Sequence, residues 1–218
     1  LINIVEALDL KSDKQMDYYK LKKFKKGTKF YYHGDTNDIL IIKSGTAVIQ
    51  ALDKFSNWSS REIATPNYLL TPENLLEFFK IPEQFDYRVV AMEAVEVYFV
   101  NREYFLNHLH LNPLKFQYFY EAMIIKYVQQ SKKMFIINEP PIVKTANALY
   151  CIIYTLYPGL NENYYALPKY INQKTVAEYS GTGQARTSES FQRLRELNII
   201  NNQQVINLPL LLNFIFTQ

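Results

Sequence analysis

Between Gln184 and Arg193 the side chains Gln184, Arg186, Ser188, Glu189, Gln192 and Arg193 share one side of a helical repeat. A glutamine amide matches the hydrogen-bonding edge of adenine, and a glutamate carboxylate accepts from cytosine N4. Guanidinium groups hold phosphate oxygens. Gln184, Ser188, Glu189 and Gln192 are therefore expected to face base edges. Arg186 and Arg193 are expected to hold phosphates, with Lys174 and Lys169 upstream as further phosphate contacts. Interleaved with them, Thr187, Phe191, Leu194 and Leu197 recur at helical spacing and predict a buried stripe.

Two short helices joined by a glycine turn would position these side chains. In INQKTVAEYSGTGQARTSESFQRLRELNII, Ile171–Ile200, Asn172 suits the N-cap of a first helix. Val176 and Ala177 give that helix a small apolar inner surface, and Gly181 supplies the sharp turn. The second helix, Gln184 to Leu197, is a rod of roughly 21 Å, suited to a major groove about 12 Å wide. Asn198 ends it. Ile199, Ile200, a polar Asn201–Gln204 turn and Val205-Ile206 then read as a hairpin, or wing. The pattern is that of a winged helix-turn-helix. It also suits an ordinary helical domain, because Glu178, Glu189 and Glu196 offset much of the positive charge, and Thr187 and Ser190 are weak core residues.

The preceding chain changes character twice. From Phe24 to Ile49 short apolar stretches alternate with glycine turns at Gly27, Gly34 and Gly45, and DYRVVAMEAVEVYFV (Asp86–Val100) is again strand-like, with a turn near Glu93–Ala94. This predicts an antiparallel roll. The segment LLEFFK reads as a short helix between prolines, and residues 1–17 as an amphipathic helix with Ile2, Val5, Leu8 and Met16 inward. Six lysines between Lys20 and Lys29 suit a solvated edge strand guarded by charge. They also suit flanking phosphate contacts with bent DNA.

Residues 113–137 predict one long helix. Phe116, Tyr120, Met123, Tyr127, Gln130, Met134 and Ile137 alternate at spacings of four and three, the seam by which two helices pair. Ile124, Val128 and Phe135 form a second stripe, so one stripe is expected to cover the roll and the other to meet a second copy. Glu139-Pro140-Pro141 breaks the helix. An apolar helix, Ile142–Tyr157, follows with Cys151 buried in it, or serving as a thiol sensor. A loop, Asn161–Pro168, leads into the helix-turn-helix, and LPLLLNFIF packs as a terminal helix. The expected domains are a roll, 1–112, a pairing helix, 113–138, and a DNA-binding domain, 139–218, in an α+β fold.

Composition narrows the function. The chain has 218 residues, 48% hydrophobic, with 18 tyrosines, 14 phenylalanines and a net charge of +3 that permits nucleic-acid binding without demanding it. A lone cysteine excludes an internal disulfide and a cysteine-rich metal site. No apolar run reaches the ~18 residues of a membrane span, and no basic start with an apolar run marks secretion. A cytoplasmic, membrane-free setting is expected, with an initiator Met upstream of Leu1. His108 and His110, as alternate residues, would point apart if they lay on a helix. His33 stands alone, and no phosphate loop or nucleophile motif is present. No enzyme, metal or cofactor is expected.

In its order of elements, and in the placing of Gly34, Gly45 and Gly181, the whole chain is similar to the Crp/Fnr superfamily of bacterial transcription regulators. NYLLTPENLL and DYRVVAMEAVEVYFV most resemble its PrfA-like branch in Firmicutes. The resemblance implies a cyclic-nucleotide-binding-like jelly roll, a homodimer on double-stranded DNA, an effector pocket between the roll and the long helix, and RNA polymerase as a further partner. TPENLLEFF and QFDYRV replace the Gly-Glu-Leu and Arg-Ser/Thr-Ala segments of cyclic-nucleotide members, so cAMP is not the expected effector. Glu189 and Gln184 stand where many relatives place arginine, so a different operator is expected. The other reading is a sensor or adaptor that acts through protein contacts and keeps a vestigial DNA head.

Overall fold

The structure is a computed structural model that describes residues 4–8, 10, 17–77 and 86–217. It divides into two compact units, Leu1–Ile125 and Lys126–Gln218. The division falls inside the long helix.

The first unit is an antiparallel roll. Strands β1 (Tyr19–Phe24), β3 (Ile39–Ser44) and β7 (Val95–Val100) form one sheet in the order β1-β7-β3. Strands β2 (Lys29–Tyr32), β4 (Ala47–Leu52), β5 (Trp58–Ala64) and β6 (Tyr87–Ala91) form the other, in the order β2-β6-β4-β5. Leu40, Ile42, Val89, Val95 and Val97 fill the space between the sheets. Ile39, Ile41, Tyr98 and Val100, the alternate residues of β3 and β7, are buried too. They pack with Val5, Leu8 and Leu10, and with Tyr104, Phe105 and Leu109 of α2 (Arg102–His110). β3 and β7 are thus covered on both faces, which is why ILII is a continuous apolar run.

Sequence patterning missed α2. Its signal is Asn101, whose Oδ1 accepts the Tyr104 N–H at 3.1 Å, followed by Phe105 and Leu109 one turn apart. Near the N-terminus only one helical turn, α1 (Ile4–Ala7), is described. Ile2 and Met16 lie outside the described residues. The expected LLEFFK helix is corrected in part. The turn is 3-10 and earlier, at Pro72–Leu75, and residues 78–80 lie outside the described residues.

The lysine-rich β1 is an edge strand, paired only with β7 within its sheet. Its charge is tied down locally. Lys23 Nζ lies 2.6 Å and Lys43 Nζ 3.0 Å from the Glu96 carboxylate, and Lys22 stacks over Phe99 at 4.0 Å. Hydrogen bonds from Lys23 and then Lys43 lower Glu96 from an ordinary 4.5 to about 2. A carboxylate whose folded pKa is depressed stabilises above its unfolded pKa and loses that contribution as the pH falls through the folded value. Amide protection along β1 is therefore expected to fall between about pH 4.5 and 2, and Glu96→Gln should remove this pH dependence. Unchanged protection across the window would show that the ion pairs contribute nothing.

Helix α3 runs from Pro113 to Phe135, 23 residues or about 34 Å. It stops short of Ile137, which lies in the following turn. Contact with the roll comes from Phe119, edge-on to Phe105 at 5.7 Å. Phe119 belongs to neither expected stripe, and Ile124, Val128 and Phe135 of the second stripe are exposed. Each points away from the Phe119 side of the helix. In the seam, Phe116, Tyr120, Tyr127 and Met134 are exposed, and Met123 and Gln130 are half-buried.

The second unit centres on α4 (Pro141–Leu156), whose Val143, Ala146, Leu149, Ile152 and Ile153 are buried. It packs against α5 (Gln173–Ser180), α6 (Gln184–Glu196) and α7 (Leu208–Thr217). Cys151 is half-buried rather than buried, since it falls outside the inward series of Thr145, Leu149, Ile152 and Ile153. The expected loop at Asn161–Pro168 contains a strand, β8 (Tyr164–Ala166), antiparallel to β9 (Val205–Asn207). A three-residue strand is too short to show a period in sequence.

Candidate nucleic-acid interface

α5 and α6 form the helix-turn-helix. Asn172 Oδ1 accepts the Thr175 N–H at 3.0 Å and caps α5, while Val176 and Ala177 are buried. Gly181 ends it with φ +66°, and the Thr182 N–H returns to the Ala177 carbonyl at 3.0 Å. Within α6 the inward residues are Thr187, Ser190, Phe191 and Leu194. Thr187 donates to the Gly183 carbonyl at 3.1 Å and Ser190 to the Arg186 carbonyl at 2.7 Å. Bonding back to the helix satisfies both hydroxyls, so small polar residues serve in a close crossing. Leu197 is a correction. It is the C-cap of α6 and is exposed. Asn198 has φ +57°, which turns the chain away before the stripe can continue.

The face opposite this stripe holds the candidate side chains. Gln184, Arg186, Ser188, Glu189, Gln192 and Arg193 are all exposed, as are Lys174 and Lys169. At about 100° per residue, Glu189 and Gln192 lie near the middle of that face, opposite the buried stripe. Arg186 and Arg193 flank it on one side, Ser188 and Gln184 on the other. Ala185, which sequence reasoning passed over, is exposed beside Glu189 and offers a methyl surface of the kind that contacts thymine.

Two of the cations are engaged with neighbouring carboxylates. Arg193 Nη1 is 2.9 Å from Glu196 Oε2, and Lys174 Nζ is 3.9 Å from Glu178 Oε1. Gln192 Nε2 reaches the same Glu196 carboxylate at 3.5 Å. Exposed pairs of this kind are worth about 0–1 kcal/mol. A phosphate can therefore displace the carboxylate at little cost. Lys133 Nζ of α3 lies 3.6 Å over the Tyr179 ring of α5, joining the long helix to the head.

The wing follows α6 directly. The Ile199 N–H bonds the Leu194 carbonyl at 2.9 Å, and Ile200 bridges Ile206 across the Asn201–Gln204 turn. The expected hairpin is present through this bridge and the bonds from Asn201 N–H to Val205 and from Asn207 N–H to Ile199, while β9 pairs along its length with β8 in a two-stranded sheet.

In the roll, the 3-10 turn Pro72–Leu75 carries Glu73. Its carboxylate is hydrogen-bonded by Tyr87 and, at 3.2 Å, by Tyr31. Burial and then the Glu73 charge push Tyr31 up to about 12. Burial, followed by the bond to Glu73, also raises Tyr87. Both tyrosines therefore remain neutral donors. A separate cleft of about 360 Å³ is lined by Tyr18, Asn101, Glu103, Tyr104, Asn107 and His108.

No protein-family model matches the chain. No curated protein matches it either. Solved structures do. A cyclic nucleotide-binding domain containing protein from Listeria monocytogenes EGD-e superposes with a TM-score of 0.78 at 17% identity, over 95% of this chain and 99% of that one. FixK2 from Bradyrhizobium japonicum matches with a TM-score of 0.68 at 12% identity, over 89% and 96%. A CRP/FNR-family transcriptional regulator from Thermus thermophilus matches with 0.63 at 15%, over 90% and 98%. At such identities the likeness is one of fold: the chain has the β-roll and winged helix-turn-helix fold that these structures share.

Proposed function

We propose that the chain is a sequence-specific DNA-binding transcription regulator that works as a homodimer. The observation that carries this reading is the exposed α6 face. Its helix follows the capped α5 and the Gly181 turn and packs through Thr187, Ser190, Phe191 and Leu194, with its polar residues left outward. The shared fold supports it, since one of the similar structures is a transcriptional regulator. The exposed seam of α3 supports pairing, because Tyr127 and Met134 are each about three-quarters exposed in the isolated chain. Pairing would set two α6 helices about one DNA turn, roughly 34 Å, apart. Ser188, Glu189, Gln192 and Gln184 read base edges, while Arg186, Arg193, Lys174 and Lys169 hold phosphates. TPENLLEFF and QFDYRV lack the glycine backbone and the arginine segment that would cradle a cyclic phosphate, which speaks against cAMP as the effector.

Selection from a random duplex pool tests the reading, with a two-fold symmetric motif as the expected result. Glu189→Ala should then relax preference at one position, at a cost of about 1–3 kcal/mol on the preferred base. Arg193→Ala should weaken binding to all sequences and lower the salt slope by about one. Wild-type behaviour in both variants would remove these assignments. The nearly neutral head favours a second reading, an adaptor that acts through protein contacts. DNA retardation at low salt alone, without any motif, would select it.

A further inference from the structure

We propose that the wing tip, Asn202 with Gln203, is a second reading element that selects A·T pairs through the minor groove beside each half-site. The inference rests on the DNA-binding reading above and concerns residues outside α6. The wing leaves the C-terminal end of α6 without a linker: Ile199 is bonded to Leu194, and Asn207 donates to the Ile199 carbonyl at 2.8 Å. When α6 lies in the major groove, the wing is carried to its flank as part of the same rigid head.

The tip is braced from three sides. Asn201 Oδ1 accepts the N–H groups of Gln203 and Val205, each at 2.9 Å. The Gln204 N–H bonds the Asn201 carbonyl at 3.1 Å, and its own carbonyl accepts the Leu167 N–H at 2.9 Å. Gln204 sits at φ +59°, closing the turn. These bonds occupy Asn201 and the backbone, while Asn202 and Gln203 stand exposed at the apex. A braced turn loses little further entropy on binding.

Charge decides what the tip can contact. From Leu197 to Gln218 the chain has no Lys, Arg, Asp or Glu. The wing therefore has no cation with which to hold a phosphate, and its contribution must come from hydrogen bonding. Carboxamide N–H groups donate to adenine N3 and thymine O2, the acceptors of the minor groove at A·T pairs. At G·C pairs the guanine N2 amine presents a donor against them.

The test uses the full-length protein and the selected operator with altered flanks. Wild type is expected to prefer A·T over G·C flanks by about fivefold or more per pair. Inosine·cytosine presents the minor-groove edge of A·T and the major-groove edge of G·C, so it should bind as A·T does. Diaminopurine·thymine restores the amine and should bind as G·C does. Asn202→Ala/Gln203→Ala should abolish the flank preference, keep the central motif and leave the salt slope unchanged. Unaltered thermal unfolding would show the variant folded. The proposal is overturned by an absent flank preference, by inosine·cytosine behaving as G·C, or by a preference that survives in the double variant and so belongs to DNA shape. In each of these cases the central motif still stands. A pool yielding no motif overturns the DNA-binding reading, and this proposal with it.

Discussion

Tyr127→Glu combined with Met134→Glu is expected to yield a folded monomer that binds operator DNA at least about 100-fold more weakly than wild type. The two positions are seven residues apart on α3, one heptad, and so lie on one line of the helix. They are 73% and 74% exposed, so neither supports the chain's own core. Carboxylates at exposed helix positions change the stability of the single chain by only about 0.5 kcal/mol. In a two-fold pair each new charge is instead brought close to its symmetry mate, and burying unpaired like charges costs several kcal/mol. Losing the pair removes the second head from the effective concentration that the first provides. That contribution is of order 10²- to 10⁴-fold. Sedimentation and operator titration at matched concentrations read both effects. A dimer that persists in the double variant would move the interface off this seam.

The largest effect on folding is expected at Gly45. The residue joins β3 to β4 with φ +81°, and a Cβ placed there would stand 2.1 Å from the Ala94 carbonyl oxygen and 3.1 Å from Val95 Cα. Both are backbone atoms, at the end of the β6–β7 turn and the start of β7, so no side chain can rotate out of the way. Gly45→Ala must bear the left-handed strain of about 1–2 kcal/mol and also push the two packed turns away from each other. A total of about 3–5 kcal/mol is expected, at the upper end for a single substitution. Gly181→Ala is the internal comparison. Its φ is +66°, but nothing lies within 4 Å of the added Cβ, so only the strain of about 1–2 kcal/mol applies. Urea unfolding of the two variants measures the difference. Equal losses would show that the close approach at Ala94 is immaterial.

Much of the architecture was legible before any coordinates. Asn172, Gly181 and the Thr187–Phe191–Leu194 spacing mark two helices and a turn, because capping, positive φ and helical period are properties of a few adjacent residues. Gly34 and Gly45, both at positive φ, mark strand ends in the same local way. Helix α2 and strand β8 were missed, since nine and three residues carry too little periodicity to stand out. The second face of β3 was missed too. A run such as ILII reads alike whether one side or both are covered, and only Phe105, Leu109 and their neighbours reveal the second cover.

The candidate interface divides in the same way. Local sequence determined which residues share the outer face of α6, because a helix assigns faces by spacing alone. The pairing of Arg193 with Glu196 and of Lys174 with Glu178 is equally local, three and four residues apart on one helix. Only the tertiary structure decided that Leu197 leaves the stripe and that the wing is braced by Leu167 and β8. Those outcomes depend on how the chain turns after Asn198 and on where β8 and Leu167 meet the returning strand. Such distances are set by packing between segments remote in sequence, and no periodicity encodes them.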